Sequence, residues 1–542
     1  MAQTIQGQLV DLAKRKIYGA ELLIADGHIK AIKKVKSKKG PFILPGMVDA
    51  HIHIESSMLV PSEFERLALA FGTLATISDP HEIANVLGVE GVYYMIENAE
   101  DLPLEIIFGA PACVPASAFE TSGAKLDSKM VEKLLKDPRI GYLSEVMNYP
   151  GVIHRDPELI QMISAAKKLK KRVDGHAPGL RGDDLRLYQS AGIETDHECY
   201  SYEEAKEKIQ LGMKVIIREG SAAKNYNDLA PLIAEFPDQL MFCSDDKHPD
   251  DLIKGHINQI VSRAIMDGYN LYDVLKIATL NPRRHYPIKS GMVLEQQTAD
   301  FILVDDLQSF NVNEVYVKGV LVAKHGSCMV PSTPVTIINQ FNTVPVTSED
   351  FKLRALTSNV SVIEAIDGQL ITNKIIHPAY ILDGYAVSDA RHDILKIAVV
   401  NRYHKAKPAI GFIKGFGLKA GAIGSCVAHD SHNIIAVGVD DDSLVRVINK
   451  IIIQQGGIAA CLNSFVLGLE LPVAGIMSNQ DGYTVAKSYS LIDHFVRTDL
   501  KSPLRAPFMT LSFMALPVIP SLKMTDKGLF DSTQFEWTTV FE

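Results

Sequence analysis

Six cysteines in 542 residues are too few for a disulfide scaffold. They read as the free thiols of a cytoplasmic protein. Positive charge is short as well: 55 lysines and arginines face 64 acids, a net charge of −9. Bulk electrostatics therefore argue against a nucleic-acid binder. Long apolar runs are missing. The best one, Ile451 to Leu469, is interrupted by Gln454, Gln455 and Asn463, so no membrane span is expected. The stretch from Met1 to Lys16 has no apolar core flanked by a cleavage site, and no signal peptide is expected. Internal repeats and low-complexity segments are absent. The glycines from Gly411 to Gly424 match neither dinucleotide nor P-loop spacing, so nothing points to a nucleotide cofactor.

What is present is an ordinary globular composition, 47% apolar and 22% charged, which excludes a largely disordered chain. The length suits three or four domains as a first expectation. Residues 3 to 45 read as short strands, Gln8 to Leu12, Glu21 to Ala25 and His28 to Lys33, broken by Gly19 and Asp26-Gly27. The basic run Lys30 to Lys39 reads as a solvated turn. Then apolar strand segments alternate with helical ones, the mark of βα units and a parallel sheet. Eight strand candidates end near His51, Ser78, Gly109, Glu145, His176, His197, Arg218 and Asp245. Helices are expected between them at Pro61 to Phe71, Ala84 to Asn98, Asp127 to Leu135 and Pro157 to Lys170. Two more follow, His256 to Asp267 and Leu271 to Leu280, the last stopping at Asn281-Pro282.

Eight βα units in one run predict a closed (β/α)8 TIM-type barrel. Short β runs return at Asp300 to Asp305, Val315 to Lys318 and Val320 to Lys324. They resemble the first 45 residues in character, so both flanks are expected to build one small β-sandwich domain. The expected domains are residues 1–45 with 286–332, a barrel over 46–285, and an α+β domain over 333–542. The last is expected to carry strands at Ile394 to Asn401 and Ile434 to Val439. Its helices are expected at Asp441 to Gln455 and Ser490 to Lys501.

The chemistry-bearing residues fall at the strand ends. His51 and His53 share one side of a strand, where alternate residues point the same way. Such a pair either chelates a metal or forms two satisfied polar contacts. Glu145, His176, His197 and Asp245 end the fourth, fifth, sixth and eighth strands, at intervals of 31, 21 and 48 residues. The first two intervals suit one βα unit each and the third suits two. Active sites on this barrel gather at the strands' C-terminal ends, and divalent metals take His and carboxylate ligands. Six donors at one face thus predict a metal site. Asp79 and His81 follow the second strand and would face the same mouth. Asp79 is either a helix N-cap or a substrate contact. Ser221 and Glu219 follow the seventh strand as weaker candidates. Asp246 and His248 sit just beyond Asp245, which leaves the metal-binding aspartate ambiguous. His429, Asp430 and His432 lie in the C-terminal region. They read as a loop closing over the barrel or as a polar turn; an independent zinc site with Cys426 lacks a second pair of ligands.

The stretches LPGMVDAHIHIESS (44–57), SDPHEIANV (78–86), DGHAPGL (174–180), TDHEC (195–199), IREGS (217–221), SDD (244–246), ATLNP (278–282), GAIGSCVAHDSHNIIAVGV (421–439) and FMTLSFMALPVIP within 508–528 resemble the amidohydrolase superfamily, and within it the bacterial-type adenine deaminases. The resemblance covers almost the whole chain. The linker Gly291 to Asp300 departs from it by lacking a Pro-Gly turn. The resemblance implies a binuclear site: His51, His53 and Asp245 on the buried metal, His176 and His197 on the second, and Glu145 bridging in place of a carboxylated lysine. It favours Mn²⁺ or Fe²⁺, with Zn²⁺ open on ligand type. It implies hydrolytic deamination of adenine to hypoxanthine and ammonia, by water activated between the two cations. Asp245 acts as base and then acid, and Glu145 or another acid assists the ring nitrogens. Asp79, His81, Ser221, His429 and His432 are the expected substrate contacts or supports, adenine the only partner besides a second copy in a homodimer. The alternatives are a cyclic-amide hydrolase or deacetylase, which Glu145 and the long C-terminal region disfavour, and a non-catalytic metal-binding scaffold.

Overall fold

The structure is a computed structural model that describes residues 2–37 and 39–542. Eight short parallel strands follow one another in chain order: Met47–Ile52, Thr73–Ser78, Glu105–Ala110, Ile140–Val146, Arg172–Gly175, Thr195–Asp196, Lys214–Arg218 and Leu240–Cys243. The first five form one ladder and the last three another. The eighth returns to the first: Ile52 bridges Asp245 in parallel, and the Asp245 N–H donates to the His51 carbonyl at 3.0 Å. This curled parallel sheet fits a TIM-type barrel. The first two strands are wholly buried, as strands covered on both faces must be.

Each expected strand end lies within two residues of the observed one. The helices differ more. The stretch expected as one helix over Ala84 to Asn98 is two, His81–Leu87 and Val89–Asn98, because Gly88 at φ 62° breaks it. The chain does not stop at Asn281-Pro282. A π turn, Lys276–Leu280, hands over to a further short helix, Asn281–His285. Pro282 lies in its first turn, where a missing N–H costs nothing.

The two flanks hydrogen-bond into one continuous eight-stranded sheet. It runs from Ser327–Cys328 through Val320–Lys324, Val312–Val317 and Phe301–Val304 to Phe42–Pro45, Gln3–Asp11, Lys16–Ala25 and His28–Lys34. The expected sandwich is thus a single sheet with its own apolar cluster, including Leu9, Leu22, Ile43, Phe301 and Tyr316. Lys30 to Lys34 belong to a strand rather than a turn; Lys38 of that basic run lies outside the described residues, as does Met1 of the N-terminal stretch.

The C-terminal region is built on a second eight-stranded sheet, mostly antiparallel, with Asp441–Gln454 packed against it. Its long helix begins at Gly482, eight residues before the expected start, where Asp481 accepts from the Thr484 N–H and caps it. The stretch Ile451 to Leu469 forms a helix end and two paired strands. Among the described residues no helix is long and apolar enough to cross a membrane. The six cysteines are unpaired.

Candidate metal centre and active site

Strand geometry brings the six sequence-predicted donors together. His51 ends the first strand and His53 lies just past it; their Nε2 atoms face each other at 3.2 Å. The Asp245 Oδ1 is 3.4 Å from His51 Nε2 and 3.3 Å from His53 Nε2. Glu145, inside the fourth strand, spans the cluster. Its Oε1 is 3.3 Å from His53 Nε2, while its Oε2 is 2.7 Å from His176 Nδ1 and 3.3 Å from His197 Nε2. One carboxylate therefore faces two separate groups of imidazoles. Five of the six residues are buried, and His176 is partly so.

Neighbouring groups fix these ligands. The Asp79 carbonyl accepts from His53 Nδ1, leaving Nε2 for the cluster. Asp49 accepts from the Ser244 N–H and pairs with His256, whose other nitrogen meets Thr73. That network ties the first strand to the end of the eighth. Behind His176 and His197, buried Lys208 donates to Asp196, Glu204 and the Ala177 carbonyl. Asp196 in turn accepts the Ala177 and Glu198 N–H groups. The loops after the fifth and sixth strands are thereby locked in place.

Arg218 is a group the sequence reading passed over. It ends the seventh strand, is buried, and donates to Asp245 Oδ2 at 2.6 Å and to Glu198. Burial alone would raise the Asp245 carboxyl; Arg218, His51 and His53 outweigh it and hold it well below the usual carboxylate range. Asp245 also sits in the left-handed backbone region, φ 52°. Such a residue costs about 1–3 kcal/mol and persists where its surroundings over-determine it. Here a bridge, a backbone bond and the Arg218 contact do so.

The remaining predictions divide. The Asp79 carboxylate accepts the His81 N–H at 3.1 Å, at the first residue of the helix, and orients the His81 ring at 3.1 Å. His81 Nδ1 lies 3.3 Å from Glu145 Oε1, so it belongs to the cluster. Asp246 accepts from Ser56 at 2.5 Å, and Asp245 is the aspartate with an oxygen within 3.4 Å of both His51 and His53. Ser221 is not brought into the pocket. Its hydroxyl donates to Asp251 and accepts the His248 N–H, and it lines a separate cleft. Glu219 pairs with Arg263, and His248 with Tyr489. His432 also misses the pocket wall: its Nε2 meets Glu82 and its Nδ1 accepts the Ala428 N–H.

The pocket itself joins two regions of the chain. His53, His81, Glu82, Glu145, His176, His197, Glu198, Asp245 and Asp246 come from the barrel end. Leu370, His429, Asp430, Phe513, Leu516 and Ile519 come from the C-terminal region. Sequence reasoning missed Glu82 and Glu198, which line the pocket, and Arg218, which holds Asp245. Each lies within a quoted motif, yet only the fold shows what it meets.

The donor set fits a divalent metal. Two imidazole nitrogens 3.2 Å apart, flanked by two buried carboxylates, could share one cation. Such a site at the mouth of a curled parallel sheet defines the class: a metal-dependent hydrolase of the amidohydrolase type. The sequence model of the Amidohydrolase family matches residues 42–322, and that of the Adenine deaminase C-terminal domain matches 369–536. The chain is 52% identical to the adenine deaminase of Sulfurovum sp. over 98% of both chains, and 50% identical to that of Salinibacter ruber over 99% of both. A solved beta-aspartyl dipeptidase from Fervidobacterium islandicum AW-1 is similar at TM-score 0.46 and 15% identity, over 61% of this chain and 99% of that one. The chain belongs to the adenine deaminase family.

Proposed function

We infer that the protein hydrolyses adenine to hypoxanthine and ammonia. It is a metal-dependent aminohydrolase of the purine ring, and adenine is its small-molecule substrate. The observation that carries the reading on the page is the split contact of Glu145, one oxygen towards His51 and His53 and the other towards His176 and His197. In this reading His51, His53 and Asp245 would hold one divalent ion and His176 and His197 the other, with Glu145 serving both. His and carboxylate donors suit Mn²⁺ or Fe²⁺ and leave Zn²⁺ open; the family resemblance favours Mn²⁺ or Fe²⁺. When bound, such a pair acidifies water and stabilises negative charge. The chain's own residues do the rest. Asp245, kept ionised by Arg218, takes a proton from the attacking water and returns it to the departing amine. His81 and Asp79 support Glu145 from the side. Leu370, Phe513, Leu516 and Ile519 offer apolar wall to a planar base and exclude bulk water.

The finer architecture belongs to the same reading. We take the curled sheet as a closed (β/α)8 barrel over 46–285. The flanks 1–45 and 286–332 form one β domain, and 333–542 an α+β domain that covers the site. Ile376, Tyr380, Ile381, Leu382 and Tyr385 are exposed apolar side chains close together in sequence, which supports a homodimer. Six free thiols support a cytoplasmic location.

Asp245→Asn tests the proton path. It removes the basic oxygen while keeping shape and the Arg218 contact. The expected kcat falls about 10²-fold or more, with the fold unchanged by circular dichroism. Wild-type turnover in that variant removes Asp245 from the proton path.

A further inference from the structure

Glu82 is clasped from across the domain boundary. Its Oε1 lies 2.5 Å from His429 Nδ1 and its Oε2 2.5 Å from His432 Nε2. All three side chains are buried. The Ala428 N–H donates to His432 Nδ1 at 3.2 Å, so His432 must offer Glu82 its Nε2–H. Glu82 is thereby fixed, and it in turn receives the Nδ1–H of His429. Phe513 stacks on the His429 ring, with centroids 4.5 Å apart and planes 18° apart. The remaining nitrogen, His429 Nε2, has no hydrogen-bond partner although it is buried and lines the pocket. Asp246 Oδ1, at 3.9 Å, is too far. A buried, oriented and unpartnered ring nitrogen calls for an explanation.

We propose that His429, held by Glu82, donates its Nε2 proton to a ring nitrogen of adenine, so that the C-terminal region supplies a catalytic group to the reaction at the barrel mouth. This rests on the reading that the pocket deaminates adenine. The water oxygen bonds to C6, and the electron pair of the C6–N1 double bond moves to N1. N1 takes the proton from His429 Nε2, and the water's own proton passes to Asp245. Asp245 then protonates the amine, the C6–N bond breaks, and ammonia leaves. The C6 hydroxyl proton restores His429 as the carbonyl forms. Atoms balance as adenine plus water to hypoxanthine plus ammonia, with both residues regenerated. Glu82 is the positioning residue and His432 its anchor.

Electrostatics agree. Burial would push His429 down, but Glu82 and then Asp246 outweigh it and lift the ring to about 9. Burial would raise the Glu82 carboxyl, and His429, His432 and His81 hold it well below the usual range. The titratable groups facing His429 are Glu82 and His81 from the helix His81–Leu87, Asp246 and His248 from the loop after the eighth strand, and Asp430 and His432 from its own loop. A donor must be protonated, so activity is present below its pKa and lost as pH rises through it.

The test compares pH profiles of adenine turnover for full-length, metal-loaded wild type, His429→Gln and Glu82→Gln, with bound metal measured for each. For the wild type the proposal expects a fall on the alkaline side near pH 9. In His429→Gln, kcat drops about 10²-fold or more, that alkaline fall disappears, and bound metal stays at the wild-type level. In Glu82→Gln the fall moves to lower pH, because the anion that raises His429 is gone. The double variant is no slower than His429→Gln, since Glu82 acts through it. A His429→Gln rate within about threefold of wild type overturns the proposal, this being far below the usual general-acid contribution. So does loss of metal in that variant, or an unshifted profile in a folded Glu82→Gln. If Glu82→Gln does not fold, His429→Gln decides alone. A wild type inert towards adenine fails the underlying reading; an active wild type with an unaffected His429→Gln fails only this proposal.

Discussion

Glu145→Gln is expected to lose bound divalent metal and adenine turnover together, with activity down about 10³-fold or more. That fall corresponds to about 4 kcal/mol of transition-state stabilisation at 1.36 kcal/mol per tenfold. The reason is geometric. Both carboxylate oxygens are committed, Oε1 towards His53 and His81 and Oε2 towards His176 and His197. Burial would raise this carboxyl, but His176, His197 and His53 hold it well below the usual carboxylate range, so it stays anionic. Glutamine keeps the shape and removes the charge. It also turns one arm into a donor that faces ring nitrogens. Metal analysis of the purified variant beside its rate checks this; full metal content with a normal rate would refute the bridge.

The second large effect is expected on deleting residues after Ser332. The barrel carries every proposed metal ligand, so a barrel-only view predicts an active fragment. The pocket says otherwise. Leu370, His429, Asp430, Phe513, Leu516 and Ile519 form one wall of it, and Glu82 loses both its partners without that region. Over a bound base, that wall would exclude bulk water from the reaction. Truncation is expected to cost at least about 10²-fold in kcat/KM for any soluble fragment, the usual scale of a lost general acid. A folded fragment with full activity would end the idea that this region completes the site.

How much of this was legible in the sequence depends on the kind of feature. The strand ends were, because apolar runs stop where a donor appears: His51, Glu145, His197 and Asp245 mark the change from core to mouth. His53 and His176, beside them, complete the six donors and were legible for the same reason. Helix breaks were less so. Gly88 interrupts a helical pattern that periodicity reads as continuous, and Pro282 starts a helix where it looked like a stop. The hardest features depend on contacts across hundreds of residues. Glu82 sits in a motif that was noted, yet nothing local says that His429 and His432 will hold it. Arg218 reads as the polar end of a strand, and its commitment to Asp245 follows only from the curl of the sheet. Ser221 failed in the opposite sense: its position after a strand was right, but Asp251 and the His248 N–H use its hydroxyl.

The central claim is that this pocket deaminates adenine with a metal pair. The most direct test is adenine turnover by full-length protein purified without oxygen and reconstituted with Mn²⁺ or Fe²⁺, following hypoxanthine and ammonia together. Equimolar formation of both, abolished by chelation and restored by metal, is the predicted result. No release of ammonia from adenine under those conditions, with hydrolysis of a cyclic amide such as a dihydropyrimidine instead, would contradict the account.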